Sequence, residues 1–577
     1  SAMMNLMRFR PKIVDAIKGY DSHTFIKDLS SGITVGVIAL PLAIAFAIAS
    51  GLKPEAGLIS AVIGGFLISA LGGSKVQIGG PAGAFVVIVY AIVERYGVAN
   101  LILSTFLAGM LLVTMGLFKV GNLIRFIPVA IIIGFTSGIA VLIGLSQIRD
   151  AFGLQIDKLP SDFFSQIYAF VRYADTASLS ASLTCLGTLA LIILWPRITA
   201  ALGRLWKPIT LVPGIIIALI IVTIVADFLD LPIETIGSRF GEIPNSIPTP
   251  QVPALDWETA KQLFAPTLTI ALLGAIESLL CARVADNLSD DKHNPNQELI
   301  GQGIANIVVP FFGGLPVTGT IARTATNAKA GAKTPVSGII HALVILLIML
   351  IAAPFASHIP MACLAGILLY ISWNMFDVAE FKRLKQFNIT YKFILLGTFF
   401  LTIIFDLTVA VQVGLVLACI FFIYRISSLT QIEKLELPED FHSDDDLALS
   451  DEFDLRDSVA AYGIYGSLFF GAIDKIEDLI DPTRSDQKIP KVMILEMHQL
   501  INIDTSGIDA LKALNKSLKK LGSTLIVCAA NTQPASLMAR SGFIDEIGEE
   551  NCLNDLPSAF LQAKKVAADA CKLNIGS

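Results

Sequence analysis

Apolar blocks of about 18 to 24 residues recur along the first three quarters of the chain, each long enough as a helix to cross a hydrocarbon layer of ~30 Å. A chain with so many blocks cannot close over one water-soluble core. The blocks lie near residues 31–50, 55–72, 76–93, 98–118, 122–147, 181–196, 208–229, 262–285, 297–313, 316–331, 336–353, 359–375, 389–405 and 407–428, fourteen in all. Only 16% of the 577 residues are charged, against roughly 25% in an average soluble domain. The spacing therefore predicts a multi-pass helical membrane protein.

Charge divides the chain in two. From Glu433 onward there are 25 acidic and 14 basic residues, a net −11, which leaves the preceding part at +5 within an overall −6. An acidic soluble domain is expected after a mildly basic membrane domain. The expected boundaries are an N-terminal cytoplasmic segment at 1–30, a membrane domain at 31–430, an acidic linker at 431–457 and a soluble domain at 458–577. Seven cysteines occur without a CxxC pair, so reduced thiols are expected, with no metal site. No motif for a cofactor or for nucleic acid is present, and no nucleophile is paired with histidine, so enzymatic chemistry is not expected.

With the N-terminus placed in the cytoplasm, Lys75, Lys119, Arg125, Arg197, Arg204, Arg283, Lys329, Lys333 and Lys382 fall at or near cytoplasmic ends. The loop from Asp227 to Lys261 carries mostly acids and falls outside. This asymmetry follows the positive-inside rule and places both termini in the cytoplasm. The first basic stretch, Met4 to Lys27, precedes no cleavage site of the signal-peptide kind.

Two blocks open with glycine and proline where a continuous helix should run: Gly79-Gly80-Pro81-Ala82-Gly83 and Gly313-Gly314-Leu315-Pro316-Val317-Thr318-Gly319. Further landmarks recur at a nearly constant offset: Pro41 against Glu277, Pro81 against Pro316, and Pro128 against Pro360. Seven segments per half is an odd number, so the second half must lie inverted relative to the first, an architecture of secondary transporters. Non-helical backbone at membrane depth survives only where protein or a water-filled cavity satisfies it. The two broken segments should therefore meet midway, each starting a half-helix whose free N–H groups favour an anion. The bland alternative is that these glycines only allow close helix packing.

Two charges lie where charge is costly. Glu277 sits within Leu272-Leu273-Gly274-Ala275-Ile276-Glu277-Ser278-Leu279-Leu280-Cys281, where a carboxylate costs roughly 2.5 to 3.5 kcal/mol on insertion scales. A bound proton or Na⁺ lowers that cost, so Glu277 is the candidate coupling residue. Arg323 follows Pro316 by one to two turns and can add a full positive charge with a planar fork suited to oxyanions. Two other readings stay open: an ion pair between Glu277 and Arg323, or Arg323 as a cytoplasmic anchor. Gln302, Asn306 and His341 read as helix-to-helix hydrogen bonds, and Asp406 as a turn residue.

In the tail, apolar runs at Ala460 to Phe470, Val492 to Met497 and Thr524 to Ala530 alternate with amphipathic stretches near Ile508 to Leu521 and Pro534 to Ser541. This pattern predicts an α/β domain with a binding or regulatory role.

These residues resemble the SulP family of sulfate permeases, which includes the pendrin and prestin group. The likeness rests on Ala39-Leu40-Pro41-Leu42-Ala43-Ile44-Ala45-Phe46, Ile78-Gly79-Gly80-Pro81, Gly301-Gln302-Gly303-Ile304-Ala305-Asn306, and Arg323 followed by Lys333-Thr334-Pro335. Ile503-Asp504-Thr505-Ser506-Gly507 resembles the STAS domain of these transporters and of anti-sigma factor antagonists; in the antagonists the position of Ser506 is phosphorylated, whereas transporter STAS domains often keep the motif for helix capping alone. The resemblance implies an α-helical membrane protein of fourteen segments in a 7+7 inverted repeat, with core and gate domains and two half-helices, plus a cytoplasmic α/β STAS domain. It also implies a homodimer in membrane lipid, and a possible cytoplasmic protein partner for the tail. By position, Phe46, Ala82, Ala322 and Arg323 would line the anion site and Glu277 would couple H⁺ or Na⁺. Alanine at 82 and 322 departs from the phenylalanine and serine of the animal members and implies a roomier pocket.

Local likeness around Leu273–Cys281 and Asn306–Gly314 is to a bacterial branch that carries four-carbon dicarboxylates and aspartate. The leading expectation is thus a bacterial inner-membrane symporter of an oxyanion such as succinate, fumarate or aspartate. The alternatives are sulfate or bicarbonate with H⁺ or Na⁺, a nucleobase symporter, and a membrane-anchored regulatory STAS module.

Overall fold

The computed structural model describes residues 9–124, 127–405, 407–441, 455–480 and 489–575. Arg125, Asp406 and most of the acidic stretch, 442–454, lie outside the described residues. Contacts divide the chain into two units, Ser1–Leu417 and Ala418–Ser577.

Fourteen helical elements correspond to the fourteen apolar blocks. They are α1 (Ser22–Ala49), α2 (Pro54–Leu71), α3 (Gly83–Tyr96), α4 (Val98–Leu117), α5 (Val129–Ser146), α6 (Leu179–Leu202) and α7 (Gly214–Phe228), then α8 (Phe264–Ser289), α9 (Pro295–Val308), α10 (Ile321–Lys329), α11 (Val336–Ala356), α12 (Met361–Met375), α13 (Ile389–Ile404) and α14 (Leu407–Leu429). Two short strands, β1 (Gly79–Gly80) and β2 (Thr318–Gly319), precede α3 and α10.

The count of full spans is lower than the sequence suggests. Among the described residues eight helices are long and apolar enough to cross a membrane, or nine if α12 and the following helix, bent by 44°, form one span. The remainder fall short for physical reasons. The segments containing α3 and α10 begin as glycine-rich strands, α9 carries glutamate, glutamine and asparagine, and α7 and α13 are shorter apolar helices.

Helix starts follow local chemistry. The Asp21 carboxylate accepts the Thr24 N–H ahead of α1, and Asn294 does the same for Gln297 ahead of α9, where Pro295 occupies the first helical position. Pro128 and Pro360 are the N-caps of α5 and α12, so this pair of landmarks is equivalent in the fold. Pro81 and Pro316 are not: Pro81 lies immediately before the N-cap of α3, whereas Pro316 precedes β2.

Packing partners exchange under a shift of seven elements. The pair α1–α11 has its counterpart in α8–α4, α2–α11 in α9–α4, and α5–α13 in α12–α6. The strands β1 and β2, which occupy corresponding places, pair with each other antiparallel. An inverted repeat produces this exchange, because each half packs against the other through the same faces.

The second unit ends in a six-stranded sheet of β3 (Gln431–Leu435), β4 (Val459–Leu468), β5 (Val492–Glu496), β6 (Leu500–Ile503), β7 (Thr524–Cys528) and β8 (Cys552–Leu553). Only β3 runs antiparallel to its neighbour. Gln431–Leu435, expected in the linker, is thus an edge strand: its apolar Ile432 and Leu435 are half-buried among charged residues. The helices are α15 (Thr505–Lys520), α16 (Thr532–Arg540) and α17 (Leu556–Ile575). Strand alternation builds two cores: Met493 and Leu495 meet Leu511, Leu514 and Leu518 of α15, whereas Val492 and Ile494 meet Ala559, Ala563 and Ala567 of α17. Burial pushes the Cys528 thiol up to about 12, helped by Glu496 and Asp555, so it stays a thiol. Cys185, Cys281, Cys363, Cys419, Cys528 and Cys552 are free.

Candidate functional site

The site is built where β1 and β2 cross, with Gly79 opposite Gly319 and Gly80 opposite Thr318. Close approach demands glycine here: a Cβ on Gly79 would lie 2.2 Å from Ile68 Cδ1, and one on Gly319 1.8 Å from Gln77 Nε2. Each strand turns into a half-helix, with Ala82 as N-cap of α3 and Thr320 as N-cap of α10. Neither N-cap side chain bonds the helix it starts; the Thr320 hydroxyl instead donates to Ile78 O at 3.0 Å. The first N–H groups of both half-helices are therefore free of side-chain caps.

The second segment is held by polar side chains. Asn306 accepts the Val317 N–H at 2.9 Å and donates to Val317 O at 2.9 Å, serving as a substitute strand. The Ser60 hydroxyl accepts Leu315 N–H, and Thr324 accepts Ile78 N–H at 3.0 Å. The Thr318 hydroxyl contacts Ser278 at 2.8 Å and donates to Gly274 O, which ties β2 to α8. Neither amide makes the helix-to-helix bond expected of it: Asn306 shapes the break itself, and Gln302 donates to Glu298 within its own helix.

Arg323 is 1% exposed, so it is not a rim anchor. Its guanidinium donates to Pro81 O at the start of α3, and among the described residues it makes no ion pair. A Cβ on Gly80 would meet Arg323 Nη1 at 2.8 Å. The cation on α10 therefore lies against the backbone of the other broken segment. Phe46 and Ala82 are buried, and the Phe46 ring and Met375 Sδ face Gly83 within 3.4 and 3.0 Å of where a Cβ would be. Ala322 is exposed on the first turn of α10. Glu277 is half-buried and does not pair with Arg323; its neighbour Ser278 makes the link to Thr318.

Two buried acids escaped the sequence reading. Asp28 of α1 accepts Lys333 N–H at 2.8 Å, Thr334 N–H at 3.1 Å, the Thr334 hydroxyl and the Tyr20 hydroxyl. Burial, together with the bond to Asp28, pushes the Tyr20 phenol up to about 12, so it remains a donor. This clamp explains the Lys333-Thr334-Pro335 run, which holds the exit of α10 to α1. Glu298 accepts Gly73 N–H at 2.7 Å and Gln302 Nε2 at 2.9 Å. Near the ends of apolar runs, both acids read as ordinary flanking charges; for Glu298, just inside the block 297–313, that position is the available signal.

A cavity of about 680 Å³ opens at the other end of α3, lined by Tyr90, Glu94, Arg149, Asp150 and Arg239. It is set apart from the crossing. In the second unit, Asp504 caps α15 by accepting Gly507 N–H at 2.8 Å and also accepts Phe470 N–H at 3.2 Å. Ser506 is half-buried in the first turn.

Residues 25–398 match the profile of the sulfate permease family, and residues 452–559 that of the STAS domain. A putative sulfate transporter of Bacillus subtilis, YvdB, is 42% identical over 535 residues, covering 92% of this chain and 97% of that protein. The bicarbonate transporter BicA of a Picosynechococcus species is 31% identical over 441 residues, covering 73% and 74%. The murine anion transporter Slc26a9 superposes with a TM-score of 0.82 at 18% identity, covering 96% of this chain and 94% of that one, a likeness of fold. With two half-helices starting beside a buried arginine, a STAS domain following in the sequence and a relative from Bacillus subtilis matched over nearly its whole length, the chain belongs to the sulfate permease family and is a membrane anion transporter, not an enzyme.

Proposed function

We propose that this protein is a secondary active transporter of a small inorganic oxyanion, sulfate or bicarbonate, in the bacterial inner membrane, with both termini cytoplasmic. The observation that carries this reading is Arg323, a buried cation without a carboxylate partner, held between the starts of two half-helices. An unpaired charge in such a setting is costly, and a bound anion offsets that cost. Phe46, Ala82 and Ala322 would shape the pocket around it. The relatives named above support an inorganic oxyanion; none of them is named for a dicarboxylate, so the motif likeness to that branch carries no further weight.

Glu277 is the coupling residue in this reading, taking H⁺ or Na⁺. Its chain neighbour Ser278 bonds Thr318 of β2, which puts Glu277 on the stretch of α8 that holds the second broken segment. The STAS domain would serve regulation, in a homodimer and with a cytoplasmic partner. A phosphate on Ser506 would sit in the first turn of α15, where negative charge is favoured.

The test is counterflow in proteoliposomes with sulfate, bicarbonate, succinate, fumarate and aspartate, with and without imposed pH and Na⁺ gradients. Sulfate or bicarbonate should exchange fastest, and Glu277→Gln should lose accumulation against a gradient while keeping exchange. Faster exchange of succinate than of either inorganic anion would overturn the substrate assignment, and full accumulation by Glu277→Gln would remove that residue from coupling.

A further inference from the structure

Behind the strand crossing, on the side facing α2, three buried polar groups lie against neighbouring backbone positions. The face of α2 there consists of Ala61, Gly65 and Ser69, at the four-residue spacing that aligns side chains along a helix. Arg323 Nη1 and Ala61 both lie against Gly80. A Cβ on Gly65 would meet Gly79 O at 3.1 Å and the His341 ring at 3.1 Å. Ser69 Oγ lies against Gly338, one turn before His341 on α11. Arg323, His341 and Ser69 are all at least nine-tenths buried, and among the described residues Arg323 Nη1, His341 Nε2 and Ser69 Oγ have no hydrogen-bond partner.

Their chemistry is complementary. Arg323 Nη1 can only donate. His341 Nδ1 lies 3.3 Å from Gly338 O, a carbonyl that can only accept, so Nδ1 carries the hydrogen and Nε2 presents a lone pair. A donor and an acceptor left bare inside a membrane protein are both costly, and buried groups of this kind are ordinarily joined by water. The glycines at 65, 79, 80 and 338 let the side chains of His341, Ile68, Arg323 and Ser69 lie directly against the backbone here.

We propose that a buried water site lies along this wall, with one water accepting from Arg323 Nη1 and donating to His341 Nε2. His341 is then a positioning residue: it fixes the roll of the guanidinium, whose other arm is fixed by Pro81 O, and it does so without touching the transported anion. The inference rests on reading Arg323 as the anion-site cation. It adds that this cation is aimed from behind, by a side chain on a different helix.

The experiment compares anion KM and exchange turnover for the full chain in proteoliposomes, with sulfate and bicarbonate as probes. His341→Gln keeps an acceptor and should hold KM within about threefold of the parent, whereas His341→Met fills similar space without one and should raise KM about tenfold with turnover preserved. Equal KM for both variants, or a fall in turnover alone, would overturn the positioning role. Should the Met variant fail to fold, radiolytic footprinting of the parent protein decides: ordered water beside His341 gives oxidation at that buried ring, and no modification there would overturn the water site. Arg323→Ala run in parallel separates the two levels, since unchanged KM in that variant removes the anion-site reading itself.

Discussion

The two broken segments share a backbone plan and differ in charge. In α3 the third residue after the N-cap is Phe85, buried, with Cζ 3.2 Å from where a Cβ on Gly274 would be; in α10 the same place is Arg323. Helix α3 buries only small and apolar residues, whereas α10 buries Arg323, Thr324 and Asn327. The repeat thus provides the open helix start twice and the cation once. A charge on one side of a pseudo-twofold crossing suffices, because the guanidinium reaches across to Pro81 of the other segment.

Removing the charge should have the largest effect. Arg323→Ala is expected to weaken anion binding by at least about 100-fold, or ~3 kcal/mol, while the protein remains folded. Anion-dependent thermal stabilisation in detergent measures this. Moving the charge to the first half, as Arg323→Phe with Phe85→Arg, should not restore binding, since position 85 faces α8 rather than a carbonyl of the partner segment. Restored binding would mean that the two half-helices are interchangeable.

Next in size are the crossing glycines. Gly80→Ala places a methyl 2.8 Å from Arg323 Nη1 and should cost about tenfold in affinity by displacing the guanidinium. Gly79→Ala, whose methyl would meet Ile68 on α2, should instead lower stability by about 1 to 3 kcal/mol through overpacking. Affinity titrations and thermal melts on the pair tell whether neighbouring glycines have the separate duties assigned to them here.

A smaller effect is expected from Asn306→Ala, which strips both bonds from Val317 and should cost about 1 to 3 kcal/mol of stability. The amide that bonds the first segment, Asn327 to Val76 O, is untouched by this change, so only the second should loosen, seen as faster hydrogen exchange confined to 313–320. Smallest of all, truncation after Leu429 should leave the ranking of exchanged anions unchanged, because every residue proposed for the pocket lies before it. A reordered ranking in counterflow would give the STAS domain a share in selectivity.

The long apolar blocks determined, without any coordinates, that this is a helical membrane protein. Glycine and proline runs located both breaks, and the odd segment count implied the inversion, because period and breaker chemistry act within a few residues of chain. Local signals also placed the sheet strands at 492–496 and 524–528 and the capped helix after Asp504. Pairings across the sequence were not legible. The edge strand at 431–435 gains its identity only from Tyr462 and its neighbours on β4, and the equivalence of Pro81 with Pro316 fails because Pro81 follows its two-residue strand whereas Pro316 precedes its own. Arg323 was visible as a misplaced charge, but its choice of Pro81 O over Glu277, the clamp from Asp28 to Thr334, and the unpartnered nitrogen of His341 were decided by tertiary packing. A hydrogen bond joins groups hundreds of residues apart once the backbone brings them within about 3 Å, and no local pattern encodes which of several buried donors and acceptors will be the nearest.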